Sequence, residues 1–497
     1  MFVKKFYSTL ILVFMVCAII LTGCKGATLS FPETNTAVIG NGGIAVIKDD
    51  YLYYVNGYVD ASLFSDIRKD NIYGNEVRGA IFKTRLLNNK IQKDEDGFLK
   101  ETQVVVPQVV GFNNGGFYII GDYLYYLTPL MEEDGATTLL KTGFLEVCRI
   151  KLDGTGKERV YKTNNAIENV TWSVYNMDGK DVVVMLDGKN LVSITVSGKD
   201  KNTVTMATDV TTVSLLQQSN YIHGQDSLKP YEQYVYYTRD ITESDNRPTA
   251  KNALCSVKIG SNTRTVLEYG DNEEYKIETL NNGKLYYSKT IYIGSTAGHP
   301  ELFMRDTKTT IKTEVQVSKS GYTNIAVLNG EENTNSDGLK VVTVDSSNVI
   351  RRVQANGSVS EVIYRATSSI SIVGIKNTYL YIQQNGHIYR LDIYGEATQE
   401  LIQLTNNDIT YYASKNSLID IDGSRLFIFA KYNGDNGISN YYLNVVETIN
   451  KIEVADGDMI SKFVGKFKSG ECPPKPEEIE EEENEDGTIP EKEPWII

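Results

Sequence analysis

The stretch Tyr123-Leu124-Tyr125-Tyr126-Leu127 decides the fold, because variants of it recur along the chain. A short apolar and aromatic run bounded by turn residues is typical of a buried β-strand. The recurrences align on eight hydrophobic anchors: Leu52, Leu124, Val182, Val235, Leu285, Val341, Leu380 and Leu426. The first and last anchors are 374 residues apart, so their seven intervals average about 53 residues. Spacing of this size indicates a repeat protein.

The turn residues between these runs predict an all-β fold. Asn-Gly and Asp-Gly each occur nine times, and both dipeptides supply the positive φ angles of tight hairpins. In the second repeat, four strand-like runs follow one another at 117–120, 123–127, 145–152 and 158–161. Four antiparallel strands in about fifty residues make one blade of a β-propeller. Eight anchors predict eight blades; seven is the alternative, because the 39 residues from Val341 to Leu380 are few for a full blade.

Composition restricts the function. The chain has 497 residues, 41% of them hydrophobic, and a single core of that size would be unusual, whereas stacked blades need only small cores. A net charge of −14 is the wrong sign for nucleic-acid binding. Three His and five Cys leave little material for a metal site, so we predict no metal and no cofactor.

The first residues predict membrane attachment. Lys4 and Lys5 precede an uncharged apolar stretch at 10–21, which is too short to span a bilayer. The following Leu21-Thr22-Gly23-Cys24 resembles the lipobox of bacterial lipoproteins. That resemblance implies cleavage after Gly23, lipid on the Cys24 thiol, and a location on the extracytoplasmic face of the cell membrane. The alternatives are an ordinary secretory signal or a short uncleaved anchor.

A second resemblance concerns the body of the chain. After the Leu-Tyr-Tyr strand comes Val147-Cys148-Arg149-Ile150-Lys151-Leu152-Asp153-Gly154, and His387-Ile388-Tyr389-Arg390-Leu391-Asp392 repeats it. This pattern resembles the low-density-lipoprotein-receptor-like propeller domains of bacterial lipoproteins and covers most of residues 40–450. The resemblance implies a fold and no activity. The tyrosine strands lack the Trp-Thr-Asp ending of the receptor repeats.

Four segments are predicted: a lipoprotein signal peptide at 1–23, a lipidated N-terminus and linker at 24–39, a propeller at 40–468, and an acidic tail at 469–497. From Glu471 onward, eleven acidic residues stand against two lysines, and we expect this tail to be disordered. It is interpreted as a solubilising extension, or alternatively as a docking segment acting through Trp495-Ile496-Ile497.

Known catalytic and metal motifs are missing from the sequence. Asp94-Glu95-Asp96-Gly97 and Asp420-Ile421-Asp422-Gly423 could suggest calcium, but neither has the other ligands of a calcium loop, so both are predicted to be hairpin turns.

The histidines and cysteines are also given structural interpretations. His223, His299 and His387 are far apart in sequence, and His387 is predicted to be a structural mid-strand residue. Cys148 and Cys255 lie in apolar runs and are predicted to be buried free thiols rather than a disulfide.

Two functions remain open. The first is a non-enzymatic platform that binds an unknown protein or glycan through one end of the propeller, where the longest insertions, 56–79 and 128–143, form the predicted contact rim. The alternative is a secreted glycan-active hydrolase or lyase with carboxylates around the channel.

Overall fold

A computed structural model describes most of residues 38–459. The gaps of five or more residues fall at 57–78, 93–100, 111–115, 216–229, 309–313, 328–339, 413–417, 420–424, 434–438 and 448–457, and shorter gaps occur elsewhere. The described residues form β-strands, two 3₁₀ turns at Pro230–Gln233 and Glu243–Asp245, and no α-helix. The all-β prediction is confirmed.

The strands group into eight antiparallel sheets that follow one another along the chain. Seven of them, blades 1 to 7, lie within residues 38–403, and the eighth sheet lies within residues 410–459. Each sheet contains one of the eight sequence anchors. The β-propeller prediction is therefore confirmed, and the blade number that matches is the alternative of seven. The seven blades occupy residues 38–403, and a further sheet that holds the last anchor, Leu426, follows them.

Blades 1 to 4 have the following strands. Before blade 1 comes β1 (Val38–Ile39), which joins blade 2. Blade 1 has β2 (Ala45–Lys48), β3 (Tyr51–Val55), β4 (Ile81–Leu87), β5 (Lys90–Ile91) and β6 (Thr102–Val106). Blade 2 has β7 (Phe117–Ile120), β8 (Tyr123–Asp134), β9 (Thr137–Lys151) and β10 (Glu158–Lys162). Blade 3 has β11 (Trp172–Met177), β12 (Lys180–Asp187), β13 (Asn190–Ser197) and β14 (Asp200–Ala207). Blade 4 has β15 (Val210–Ser214), β16 (Tyr234–Asp240), β17 (Asn252–Lys258) and β18 (Arg264–Glu268).

The remaining sheets continue the same order. Blade 5 has β19 (Glu273–Asn281), β20 (Lys284–Ile293), β21 (Thr296–Ala297), β22 (Glu301–Asp306) and β23 (Glu314–Ser318). Blade 6 has β24 (Asn324–Val327), β25 (Lys340–Val344), β26 (Val349–Gln354) and β27 (Ser360–Arg365). Blade 7 has β28 (Ile370–Lys376), β29 (Tyr379–Gln384), β30 (His387–Asp392) and β31 (Ile402–Gln403). The eighth sheet has β32 (Thr410–Tyr412), β33 (Leu418–Ile419), β34 (Arg425–Asn433), β35 (Ser439–Glu447) and β36 (Asp458–Met459).

Predicted hairpin dipeptides make tight turns between these strands. Asp178 and Gly179 join β11 to β12 with φ angles of 51° and 73°, and Asn385 and Gly386 join β29 to β30 with 51° and 81°. Two consecutive positive φ angles match the twist of the flanking strands, and Asn, Asp and Gly adopt them most readily. These turns set the register of blades 3 and 7.

The repeated tyrosine strand is buried on both faces of its sheet. In β8, Leu124 and Tyr126 pack into the apolar cluster shared with blade 1, whereas Tyr125 packs into the cluster shared with blade 3. Successive side chains of a strand point to opposite faces, which explains this alternation. Burial on two sides also explains why the run is continuously apolar rather than alternating.

The same alternation closes the ring. In β34, Leu426 and Ile428 pack against blade 7, whereas Phe427, together with Val445 of β35, packs into the cluster of blade 1. The last sheet thus contacts both the preceding sheet and the first one. A closed ring buries every blade face and leaves no sheet face open to water.

A repeated polar contact reinforces the packing between blades. A cationic side chain on the third strand of one blade donates a hydrogen bond to a backbone carbonyl near the end of the third strand of the next blade. The three instances are Lys83 to Leu152 at 2.8 Å, Arg149 to Gly198 at 2.7 Å, and Arg352 to Ile393 at 2.9 Å. Arg149 belongs to the motif quoted above, so that motif marks a contact between blades.

The antiparallel order gives the ring two different faces. The connections between second and third strands, and those from one blade to the next, lie on one face, which we call the insertion face. The connections between first and second strands, and between third and fourth strands, lie on the other, which we call the turn face. Contacts between the first strands of neighbouring blades, such as β15 with β19 and β24 with β28, place these strands innermost.

Candidate binding face

Contacts between neighbouring blades confirm that the insertion face is continuous. The Phe117 amide, at the start of blade 2, donates to the Gly43 carbonyl, just before blade 1, at 3.3 Å. The Lys189 ammonium in blade 3 pairs with Asp240 of blade 4 at 2.7 Å. Corresponding connections therefore meet where blade 1 joins blade 2 and where blade 3 joins blade 4, which lets their side chains form one surface there.

The two predicted insertions both belong to this face, since both connect second to third strands. Most of the first one, at 57–78, lies outside the described residues. The second one, the insertion predicted at 128–143, is a long hairpin: β8 and β9 continue through it and end with Asp134 opposite Thr137. A register shift follows Pro129, a residue that has no backbone N–H to donate to the ladder.

The insertion in blade 4, residues 241–251, is held by a buried ion pair that sequence reasoning missed. The Arg239 guanidinium donates two hydrogen bonds to the Asp245 carboxylate, at 2.5 and 2.8 Å, and the two side chains are only 1% and 8% exposed. The same carboxylate accepts the Thr242 amide at 2.8 Å. Arg239 and these hydrogen bonds hold the pKa of Asp245 well below its ordinary value. The pair fixes this loop as a rigid support.

Among the residues that the structure describes, blade 5 contributes the most exposed large apolar side chains of the insertion face. Beyond its pairing with β22, β20 continues to Ile293 and folds back through β21. Ile293 is 84% exposed and Ile291 is 51% exposed. Between them, the Tyr292 hydroxyl donates to Glu274 at 2.5 Å, and the Lys251 ammonium lies 4.9 Å from the Tyr292 ring centre. The hairpin is therefore fixed by polar contacts while both isoleucines face water.

This hairpin was not predicted as a site. In sequence, the polar residues 288–290 separate Ile291-Tyr292-Ile293 from the apolar run at 285–287, and no role was predicted for this triplet. The available signal was this second apolar triplet: β20 extends through it to ten residues, whereas β22, its partner in the blade, has six. The excess length projects beyond β22, although β19 still pairs with β20 as far as Ile291.

Most tyrosines have structural roles. Tyr54, Tyr126, Tyr237 and Tyr286 are fully buried among blades, and burial raises their pKa values. These four side chains fill the apolar clusters of the blades. Other tyrosine hydroxyls donate hydrogen bonds to carboxylates of a neighbouring blade, as Tyr161 does to Asp187 at 2.8 Å. Tyr234 is an exception, with 41% of its surface exposed.

The predicted buried thiols are confirmed. Cys148 in β9 and Cys255 in β17 are free and fully buried. Burial raises the pKa of the Cys148 thiol to about 12 and that of the Cys255 thiol above its ordinary value. A buried, protonated thiol behaves as a small apolar side chain.

Other predicted positions are only partly described. Cys24, Cys472, His223 and both aspartate clusters lie outside the described residues. His387 was predicted to be mid-strand, but it is the first residue of β30, directly after the turn at Asn385 and Gly386. Within the described ranges, no group of three His, Cys, Asp or Glu side chains is arranged to hold a metal ion. Among those same residues, no helix has the length and apolarity needed to cross a bilayer.

Comparison with known proteins gives similarity at low levels only. No protein-family model matches the chain, and no curated protein matches it. Among solved structures it is similar to an oligogalacturonate lyase in complex with manganese, with 8% identity and a TM-score of 0.38 over 66% of this chain and 86% of that one. It is also similar to an oligogalacturonate lyase from Vibrio parahaemolyticus, with 9% identity and a TM-score of 0.35 over 66% of this chain and 86% of that one.

A third solved structure, a nidogen/laminin complex, has 10% identity and a TM-score of 0.26 over 57% of this chain and 88% of the other. At these scores, the propeller assignment rests on the sheet order and the blade packing of this chain itself.

Proposed function

We propose that the protein is a lipid-anchored, extracytoplasmic binding platform without catalytic activity, and that it contacts a protein or glycan partner through the insertion face. Cys24 is the proposed lipid attachment site. One acyl chain gives only marginal membrane binding, so stable anchoring here involves more than one chain on the mature N-terminus.

The observation that carries this proposal is the exposed hairpin of blade 5. Two isoleucines held in water by a rigid support leave apolar surface unburied, and such exposure is typical of a surface that a partner covers. The neighbouring blade 4 loop is fixed by Arg239 and Asp245, so the surface is preorganised. Preorganisation lowers the entropy that is lost on binding.

The test compares a pair of exposed apolar residues on the insertion face with a single exposed apolar residue on the turn face. Ile291→Ser with Ile293→Ser removes the apolar group of the insertion face, and Leu87→Ser is the matched control, because Leu87 is 54% exposed at the turn-face end of β4. Each variant is expressed at native level, and partners are crosslinked on intact cells and identified by mass spectrometry. A glycan array probes the purified protein in parallel.

We expect the paired isoleucine variant to lose the partner that wild type and Leu87→Ser both retain. Melting temperatures of the three proteins should agree, since the substituted side chains are exposed. Equal partner recovery from all three proteins, with equal glycan binding, would contradict a partner site at this hairpin.

A further inference from the structure

We propose that the ring is held with its turn face toward the membrane and its insertion face directed outward, away from the lipid. This orientation rests on the proposed lipid anchor at Cys24. Its basis is the path by which the chain enters the ring.

The chain enters from the turn face, close to the axis of the ring. β1 pairs antiparallel with the free edge of β7, the innermost strand of blade 2, and it also contacts β11, the first strand of blade 3. Val38 lies opposite Ile120, which is followed at once by the turn-face connection at Gly121. Because β1 runs opposite to β7, Val38 is the end of β1 that lies at the turn face.

The length of the tether limits how the ring can turn over. Residues 25–37 are thirteen residues, which span at most about 45 Å when fully extended. A tether that starts at β1 and ends at the insertion face must first run outward across blade 2. It crosses four strand spacings to β10, about 19 Å, and then follows the length of a six-residue strand, about 20 Å. That path uses nearly the whole extended length of the tether. Placing the turn face on the membrane requires no such path.

The orientation also selects the kind of partner. With the turn face toward lipid, Ile291 and Ile293 are directed away from the bilayer and cannot act as a membrane wedge. The insertion face then fits a macromolecule outside the membrane, such as a cell-wall glycan or an extracellular protein. The turn face would lie beside lipid headgroups.

Two exposed positions on adjacent blades report the orientation. Ser346 lies in the insertion-face turn between β25 and β26, and Thr378 lies in the turn-face turn between β28 and β29. Each is changed to cysteine in full-length lipidated protein that carries Cys472→Ser, while the buried Cys148 and Cys255 stay unlabelled. A fluorophore on each new thiol is measured in phosphatidylcholine vesicles containing a headgroup-quencher lipid.

Quenching is expected to be severalfold stronger for Thr378→Cys than for Ser346→Cys, because the two turns differ by about the length of one strand, about 20 Å, in height above the lipid. Vesicle binding with equal or reversed quenching would overturn the orientation while leaving the anchor intact. Failure of the wild-type protein to bind vesicles, or unchanged binding by Cys24→Ala, would overturn the anchor and the orientation with it. Matching melting curves establish that both labelled proteins are folded.

Discussion

Arg239 is the largest side chain that the described part of the ring buries fully, and its partner Asp245 lies six residues further along the chain. Burying two charges is costly unless they pair and satisfy their hydrogen bonds. Here the carboxylate accepts from Arg239 and from the Thr242 amide and hydroxyl. The pair is thus a device for fixing the blade 4 loop on the insertion face.

Asp245→Asn is expected to destabilise the protein by about 3–5 kcal/mol, because it leaves the Arg239 charge buried without a counter-ion. Urea unfolding followed by circular dichroism measures the change. Glu243→Gln, an exposed carboxylate in the same loop, is the control and should change stability little.

The pH dependence of this pair has a definite sign. Because the pKa of Asp245 is lowered in the folded protein, its contribution is fully present above the unfolded value of about 3.9 and is lost as pH falls through the folded value. The stability difference between wild type and Asp245→Asn should therefore be constant near neutral pH and shrink in acid. A difference that grew on acidification would show that the pair does not stabilise the fold.

At the scale of elements, the N-terminal strand depends on close approach between backbones. A Cβ on Gly116, just before β7, would lie 2.0 Å from the Gly42 carbonyl oxygen and 2.6 Å from that of Gly43. Only glycine allows the segment between β1 and β2 to pass this close. The path of the segment that follows β1 thus depends on this close contact between glycines.

Gly116→Ala is expected to cost about 1–3 kcal/mol by overpacking and to displace the segment that follows β1. Hydrogen exchange should then show faster exchange of amides in β1 and β7. Gly198→Ala is the control: its Cβ would meet nothing within 4 Å, and its φ of 61° adds only a local backbone cost. Loss of β1 protection in both variants would exclude the proposed close contact as the cause.

At the scale of the whole molecule, ring closure depends on one sheet contacting two partners. Phe427 is completely buried against blade 1, while its strand neighbours Leu426 and Ile428 face blade 7. Phe427→Ala is expected to destabilise the protein by about 3–5 kcal/mol, the usual cost of deleting a buried aromatic ring. The fall in melting temperature is the measurement.

The comparison variant for ring closure is a deletion after Gly470. The acidic tail is predicted not to pack on the ring, so its removal should leave the melting temperature unchanged. A large drop on deletion would mean that the tail is part of the folded body, and an unchanged melting temperature for Phe427→Ala would mean that the ring does not depend on this interface.

The sequence by itself determined the repeat, the all-β fold class and the tight turns. Tyrosine runs such as the one around Leu124 and dipeptides such as Asn385-Gly386 act locally, through strand propensity and positive φ, so their meaning does not depend on distant residues. The burial of Cys148 could be predicted for the same reason, since this residue lies within an apolar run.

Only the tertiary structure decided the two faces and what each of them carries. Arg239 and Asp245 are both common surface residue types, and nothing local indicates that they are buried together. Ile293 is an apolar residue of a long strand, yet it is exposed because β20 extends past its pairing with β19 and β22. The pairing of Val38 with Ile120 joins residues 82 positions apart. Such features depend on which segments meet when the ring closes, and a pattern read along the chain holds no information about that meeting.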